Sequence, residues 1–255
     1  MSELKENYTF LAALYDVLME DVDYESWADF IDEIIQTHHP EAVDLLEMAC
    51  GTGSLSLSLG ELECYNILAS DKSVKMIEIA RKKPKDFNST VDFITLDFLD
   101  IDVDQSFDCI FTVFDSVNYL MNAEQIKKFL IGASKKLNGN GLLIFDFSTP
   151  KNSLESVDYL NENEGDNGRF RFFRKSAYDP KQKIHRNEFE IEEIDIKTGN
   201  ILQTVQEIHE QRAYSLDQML SIVEQTPYHL VAKYDGFDLI DANENSARVT
   251  MVLQC

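Results

Sequence analysis

Short apolar runs alternate with amphipathic stretches up to about residue 150, after which the period of the pattern changes. Residues 8–38 carry two helical patterns. In the second, Trp27, Phe30, Ile31, Ile34 and Ile35 fall at helical offsets before Pro40 ends it. "AVDLLEMA" (42–49) then reads as a buried strand, and "YNILAS" (65–70), "VDFITL" (91–96), "FDCIFTVF" (107–114) and "GLLIFDF" (141–147) are further runs of strand length. The clearest helix between them is 124–137, with Ile126, Phe129, Leu130, Ala133 and Leu137 on one face. Strands alternating with helices predict right-handed crossovers and a parallel sheet covered on both faces.

One stretch conflicts with its own period. "SLSLSLGELE" (54–63) alternates like a strand, yet Leu55, Leu59 and Leu62 also share one helical face. Only residues 54–64 separate Gly53 from the next strand, and a parallel sheet needs a crossover there. The stretch is therefore predicted helical, with Leu57 fitting worst.

After Pro150, "KNSLESVDYLNENEGDNG" (151–168) is polar and aperiodic and reads as a long mobile loop. "RFRFFRKSAY", "KIHRNEFEIEEIDI" and "ILQTVQEIHEQRAY" follow as extended segments joined by the turn chemistry of "DPKQ" and "KTGN". They predict an antiparallel meander. Leu216, Met219, Leu220 and Val223 restore a helix, and "HLVAKY" and "RVTMVLQC" read as two closing strands. The expected fold is α/β, with a mostly parallel seven-stranded sheet and helices on both faces. Residues 41–150 and 214–255 would form it, with an N-terminal helical segment at 1–40 and a small antiparallel β insert at 151–213.

Composition narrows the partners. With 255 residues, 44% hydrophobic content and 16 Phe, the chain can build a substantial core. Its 46 acidic against 23 basic residues give a net charge of -23, a field that repels phosphate backbones and disfavours nucleic acid. The short basic cluster "RKKPK" (81–85) reads as a helix end. Cysteines at 50, 64, 109 and 255 show neither CxxC spacing nor nearby histidine pairs, so free thiols are expected in place of disulfides or a metal site. The N-terminus lacks an apolar signal core, and no run approaches membrane-spanning length; a cytoplasmic protein without a membrane partner is expected.

Gly51 and Gly53 follow the first buried strand, where backbone N–H groups and a helix N-terminus face a ligand in open α/β sheets. The dinucleotide fingerprint would need a third small residue where this chain has Ser56. Glu47, Asp71 and Asp97 stand at three successive strand ends. Their combined field repels a pyrophosphate and attracts a sulfonium that carries an ammonium group.

"LLEMACGTG", "ILASD" and "ITLDFLD" at these spacings resemble the class I S-adenosylmethionine-dependent methyltransferases, over about 40–150 and more loosely through the closing helix and strands. "FLAALYDVLMEDVDYESW" and "FDSVNYL" are similar to the bacterial small-molecule type. The resemblance implies a Rossmann-like fold, S-adenosylmethionine as cofactor, and methyl transfer to a small acceptor. It also implies Glu47 beside the methionine moiety and a cofactor lining from Ala49, Cys50, Gly51, Gly53, Lys72 and Phe114. Asp71 would hold the ribose hydroxyls, Asp97 the adenine amino group, and Phe98 would offer its backbone N–H, with Tyr15 covering the site from the N-terminal segment. Glu47 and Ala49 replace the commonest Asp and Gly of the motif.

Each assignment has a structural alternative. Asp71 would otherwise cap a helix near Ser73, a reading its spacing from Gly51 disfavours, Asp97 would be a solvated loop acid, and Phe98 and Phe114 would be core. The acceptor pocket is expected between "FDSVNYL" and the insert, with Asn118, Tyr119 and Tyr214 as substrate contacts and Tyr119, His185, Arg212 and Tyr214 as catalytic candidates. "FDSVNY" lacks the prolines of the motif that clamps nucleic-acid bases in related enzymes. A cofactor-sensing protein without turnover and a nicotinamide-dependent oxidoreductase stay open as alternatives.

Overall fold

The computed structural model describes residues 3–84 and 90–255. Its main sheet is built from β2 (Asp44–Met48), β3 (Asn66–Asp71), β4 (Val91–Thr95), β5 (Phe107–Thr112), β6 (Leu137–Ser148), β11 (His229–Asp235), β12 (Asp238–Asp241) and β13 (Arg248–Gln254). They lie in the order β12-β11-β13-β6-β5-β2-β3-β4. From β6 to β4 all neighbours run parallel, while β13, β11 and β12 pair antiparallel. The sheet has eight strands where seven were expected. The eighth is a four-residue hairpin return, exposed along its whole length, so no buried face marks it in the sequence.

Period-2 alternation divides the core in two. In β2, Leu45 joins the cluster containing Ile31, Ile34 and Leu59, whereas Leu46 joins that containing Phe129, Leu130 and Met219. The first face is covered by α2 (Tyr24–His38), α3 (Ser54–Gly60) and α4 (Val74–Ala80), and the second by α5 (Ala123–Ser134) and α7 (Leu216–Val223). The stretch with conflicting periods is helical, with Leu55 and Leu59 buried and Leu57 only half-buried. Leu62 lies beyond its end and is exposed. Leu137, expected on α5, instead opens β6. The basic cluster does begin at a helix end, since Arg81 is the C-cap of α4; Lys85 lies outside the described residues.

The reading of 151–168 as a mobile loop is wrong. Pro150–Leu160 forms α6 and Glu164–Asp166 forms β7. Thr149 accepts the Asn152 N–H at the N-cap, and Pro150 occupies the first turn, where its missing donor costs nothing. Those start signals carry the helix although its polar surface hides the period. The meander is present as β8 (Phe170–Asp179), β9 (Ile184–Ile194) and β10 (Ile201–Arg212). It belongs to a second sheet of five strands that also holds β7 and, parallel to β10, the N-terminal β1 (Glu3–Lys5). Phe172, Phe189, Ile191 and Val205 of this sheet pack on Leu11 and Leu14 of a 3-10 turn, Leu11–Leu14, that leads into the single-turn α1 (Tyr15–Leu18).

Gly53 shows how tightly the loop after β2 is seated. Its φ is +78°, and a Cβ there would lie 2.5 Å from the Phe93 ring. Gly53→Ala is therefore expected to destabilise the fold by roughly 1–3 kcal/mol through backbone strain and overpacking. Chemical denaturation checks this, and an unchanged midpoint would refute the packing role.

Candidate active site

The loop 49–53 leaves β2 at the carboxyl edge of the sheet, with Ala49, Gly51 and Gly53 all at positive φ. Asp71 at the end of β3 organises this edge: one carboxylate oxygen accepts the Gly51 N–H at 3.0 Å and the other the Ser73 N–H at 2.7 Å. The capping and ligand-facing readings of Asp71 are thus compatible, since each oxygen keeps a lone pair free. Burial raises its pKa, and the two backbone donors partly offset that. Asp71, Ala49, Gly51, Lys72, Leu96 and Phe98 border a cavity of about 660 Å³. Asp97 sits beside it, its carboxylate accepting the Leu99 N–H at 2.9 Å and pairing with Lys72 at 2.8 Å. Phe98 meets Phe129 edge-on, so it is both core and cavity wall.

A second cavity of about 630 Å³ lies between the N-terminal segment and the smaller sheet. Phe114, Trp27 and Phe237 supply its apolar end, and Arg174, Asn187 and His209 its polar end. Tyr8, Tyr15, Ser116 and Tyr119 border both cavities, so these four residues stand where the two spaces meet. Phe114 and Asp115, just beyond β5, both adopt positive φ. This left-handed pair turns the chain into the 3-10 turn Ser116–Tyr119 that carries Tyr119 to the junction. Burial pushes the phenols of Tyr8, Tyr15 and Tyr119 well up, so all three keep their protons at neutral pH.

A polar chain runs inward from the junction. The Tyr8 and Tyr119 hydroxyls are 2.7 Å apart, Tyr119 Oη is 3.0 Å from His209 Nδ1, and His209 Nε2 is 3.3 Å from Glu207 Oε2. The acceptor Glu207 assigns the proton to Nε2, leaving Nδ1 to accept from Tyr119. Glu207 is fully buried and also accepts the backbone N–H groups of Tyr8, Phe10 and Leu11, at 2.7, 2.6 and 3.1 Å.

Other expected residues lie elsewhere. Glu47 borders neither cavity; it is buried, and its carboxylate accepts the Ser56 hydroxyl. Ser56 is thereby a core partner of that acid. Cys50, within the loop, is buried, and Gly53 packs on Phe93. Asn118 donates to the Ser148 and Arg212 carbonyls and accepts the Ser148 N–H, so it ties strands together and borders neither cavity. Tyr214 is spent on the Leu120 carbonyl, and Arg212 stacks on Tyr214. His185 is buried, 2.8 Å from the Ser176 hydroxyl, and burial lowers its pKa. Of the four catalytic candidates only Tyr119 borders a cavity. Tyr8, Glu207, His209 and Arg174 were missed. The readable signal was the period-2 spacing of Glu207, His209 and Gln211 on β10, one polar face inside a predicted strand.

Among the described residues no helix is long and apolar enough to cross a membrane, and no group of three His, Cys, Asp or Glu is placed to hold a metal ion. Residues 45–141 match the family model described as a methyltransferase domain. The span holds the glycine loop, Asp71, Asp97, Phe98 and the turn bearing Tyr119. Residues 45–141 are thus similar to a methyltransferase domain. A protein of Geobacillus sp. (strain WCH70), provisionally named a methyltransferase, is 29% identical over 140 residues, 54% of this chain and 56% of that one. The dTDP-3-amino-3,4,6-trideoxy-alpha-D-glucopyranose N,N-dimethyltransferase of Streptomyces venezuelae is 28% identical over 140 residues, 53% of this chain and 56% of its own. The matched region thus spans about half the length of these curated relatives. An S-adenosylmethionine-dependent methyltransferase from Clostridium acetobutylicum ATCC 824 shares the fold, with a TM-score of 0.74, 24% identity, and 97% and 98% of the two chains covered.

Beneath the glycine loop, burial pushes the Glu47 carboxyl up to about 7 from the ordinary 4.5. The folded chain favours its protonated form, so its contribution to stability is full below pH 4.5 and is lost as the pH climbs to about 7. Glu47→Gln removes this titration. Between pH 5 and 8 the native protein should lose roughly 2–3 kcal/mol relative to the variant, measured by denaturation at each pH; parallel profiles would contradict the shift.

Proposed function

We propose that this protein is a cytoplasmic S-adenosylmethionine-dependent methyltransferase, with the nucleoside in the cavity beside Asp71 and a small-molecule acceptor in the cavity beside His209. The observation that carries the proposal is the meeting of two cavities at Tyr8, Tyr15, Ser116 and Tyr119, one of them on the strand-end edge of a methyltransferase domain. The residues fit the cofactor chemically. Asp71 has two acceptor oxygens with lone pairs to spare for adjacent ribose hydroxyls, and Ala49 and Gly51 bring only small groups to the loop. The family match and the Ser56–Glu47 bond at the position of the third fingerprint glycine speak against a nicotinamide cofactor.

Bound there, the cofactor supplies a methyl group already activated on a positive sulfur, so the protein's task is alignment. Tyr15 closes over Gly51, 3.2 Å from where a Cβ would stand, and leaves the loop backbone as a flat wall. With the Tyr119 proton given to His209 Nδ1 and the Tyr8 proton to Tyr119, the Tyr8 oxygen accepts from the N–H or O–H of the acceptor nucleophile and holds it toward the other cavity. Where that nucleophile must lose a proton, Tyr8 and Tyr119 offer a path to His209 Nδ1, and Glu207 stabilises the imidazolium that results.

Calorimetry with S-adenosylmethionine and with NAD tests the cofactor assignment; tight binding of NAD and none of the sulfonium would overturn it. Asp71→Asn should weaken S-adenosylmethionine by roughly 1.5–3 kcal/mol, the value of charge-assisted hydrogen bonds, and unchanged affinity would reduce Asp71 to a helix cap. Incorporation of labelled methyl from the cofactor into a metabolite extract separates an enzyme from a sensor. With an acceptor in hand, His209→Gln should lower kcat by about 100-fold or more and leave cofactor affinity intact. An undiminished rate would remove the relay from the mechanism.

A further inference from the structure

Among the described residues, Arg174 has no ion-pair partner. Its Nε donates to Asn187 Oδ1 at 3.0 Å, and its guanidinium lies 5.4 Å from the centre of the Phe189 ring. Among the described residues, its two terminal nitrogens have no hydrogen-bond partner and no carboxylate lies within ion-pair distance. Both facts are unusual for a half-buried arginine in a chain with 46 acids and 23 bases. Desolvation lowers its pKa, and the neighbouring phenols of Tyr119 and Tyr8 and the Asp115 carboxylate oppose that shift.

The acids of the same cavity are accounted for. Asp115 pairs with Arg248 at 2.5 Å and accepts from Gln211 at 2.8 Å, so both its oxygens are engaged. Asp23 caps α2 by accepting from Ser26, and Asp21 and Asp23 stand exposed at the rim. What faces the interior beside Tyr119 and His209 is thus a planar fork of free N–H donors, held in orientation by Asn187 and Phe189. A guanidinium so presented matches a carboxylate or a phosphate, each of which accepts two parallel hydrogen bonds. Arg174 borders only this cavity and not the one beside Asp71 and Gly51, so its partner belongs to the acceptor.

We propose that the acceptor carries an oxyanion, a carboxylate or a phosphate, which Arg174 grips while the nucleophilic amine or hydroxyl reaches the tyrosine junction. The inference rests on the methyltransferase reading and adds the chemical class of its substrate. Arg174 would be a specificity-determining residue. The negative surface makes such a site necessary for an anionic acceptor, because only a local, desolvated cation outweighs a net charge of -23.

The experiment is calorimetric titration of the protein holding S-adenosylhomocysteine, so that compounds which bind without turnover still report. The probes are matched pairs: glycine with glycinamide and sarcosine with sarcosinamide for the carboxylate, phosphoethanolamine with ethanolamine and glucosamine 6-phosphate with glucosamine for the phosphate. At least one anionic member should bind 10-fold or more tightly than its neutral match, and the pair that does so tells carboxylate from phosphate. Arg174→Gln should abolish that preference, and Arg174→Lys, which keeps the charge and loses the fork, should retain part of it. S-adenosylhomocysteine affinity should be the same in all three proteins. No preference in any pair, or a preference that survives Arg174→Gln, overturns the proposal. A fall in S-adenosylhomocysteine affinity in Arg174→Gln also overturns it, by assigning the guanidinium to the cofactor. Native protein that fails to bind S-adenosylhomocysteine instead refutes the methyltransferase reading itself.

Discussion

A single buried carboxylate holds the two halves of the proposed site together. Glu207, on the smaller sheet, accepts three backbone N–H groups from residues 8–11 and faces His209 with the same oxygen that holds Tyr8. Those donors belong to a segment that leaves β1 and turns toward α1, with no regular partners of its own for them. A buried carboxylate is tolerable only when several donors replace its hydration, and buried N–H groups are tolerable only when an acceptor reaches them. Each side therefore requires the other. The result is that Tyr8 and Tyr15 are fixed above the glycine loop, and that both cavities acquire a shared wall.

The electrostatics of the site are set by burial more than by charge count. The chain is strongly acidic, yet at its centre the acids are either partnered or protonated. Asp71 accepts one backbone N–H on each oxygen and keeps a lone pair on each, Asp97 pairs with Lys72, Asp115 with Arg248, and Glu47 favours its neutral form. The phenols likewise keep their protons. What remains exposed inside the second cavity is one guanidinium and a set of neutral donors and acceptors. Such an interior favours orientation of a polar ligand over covalent chemistry by the protein, which is what the proposed displacement at an already activated methyl group asks for.

Several features were legible in the sequence because they follow from local physics. The order of strands and helices, the glycine loop and the strand-end positions of Asp71 and Asp97 follow from periodicity and from the short crossover after Gly53, which leaves room only for a helix. The conflict between periods at 54–63 resolved as helix because connectivity outranks a two-residue alternation. α6 was missed because its surface is polar on most sides, leaving only Thr149 and Pro150 to announce it. β12 was missed because it buries nothing.

The sequence alone determined a parallel α/β sheet, a glycine loop at Gly51 on its strand-end edge, and acids at its strand ends, all properties of residues close together in the chain. It did not determine which side chains face one another once the chain is folded. Glu47, Asn118 and Tyr214 have the right chemistry for a site and are spent on structure, while Tyr8, His209 and Arg174 come from three distant segments and meet at the cavities. Only tertiary structure decides this, because a polar residue's role depends on whether a partner is within reach once it is buried. That partner is chosen by the packing of two sheets and an N-terminal segment, and no periodicity encodes it.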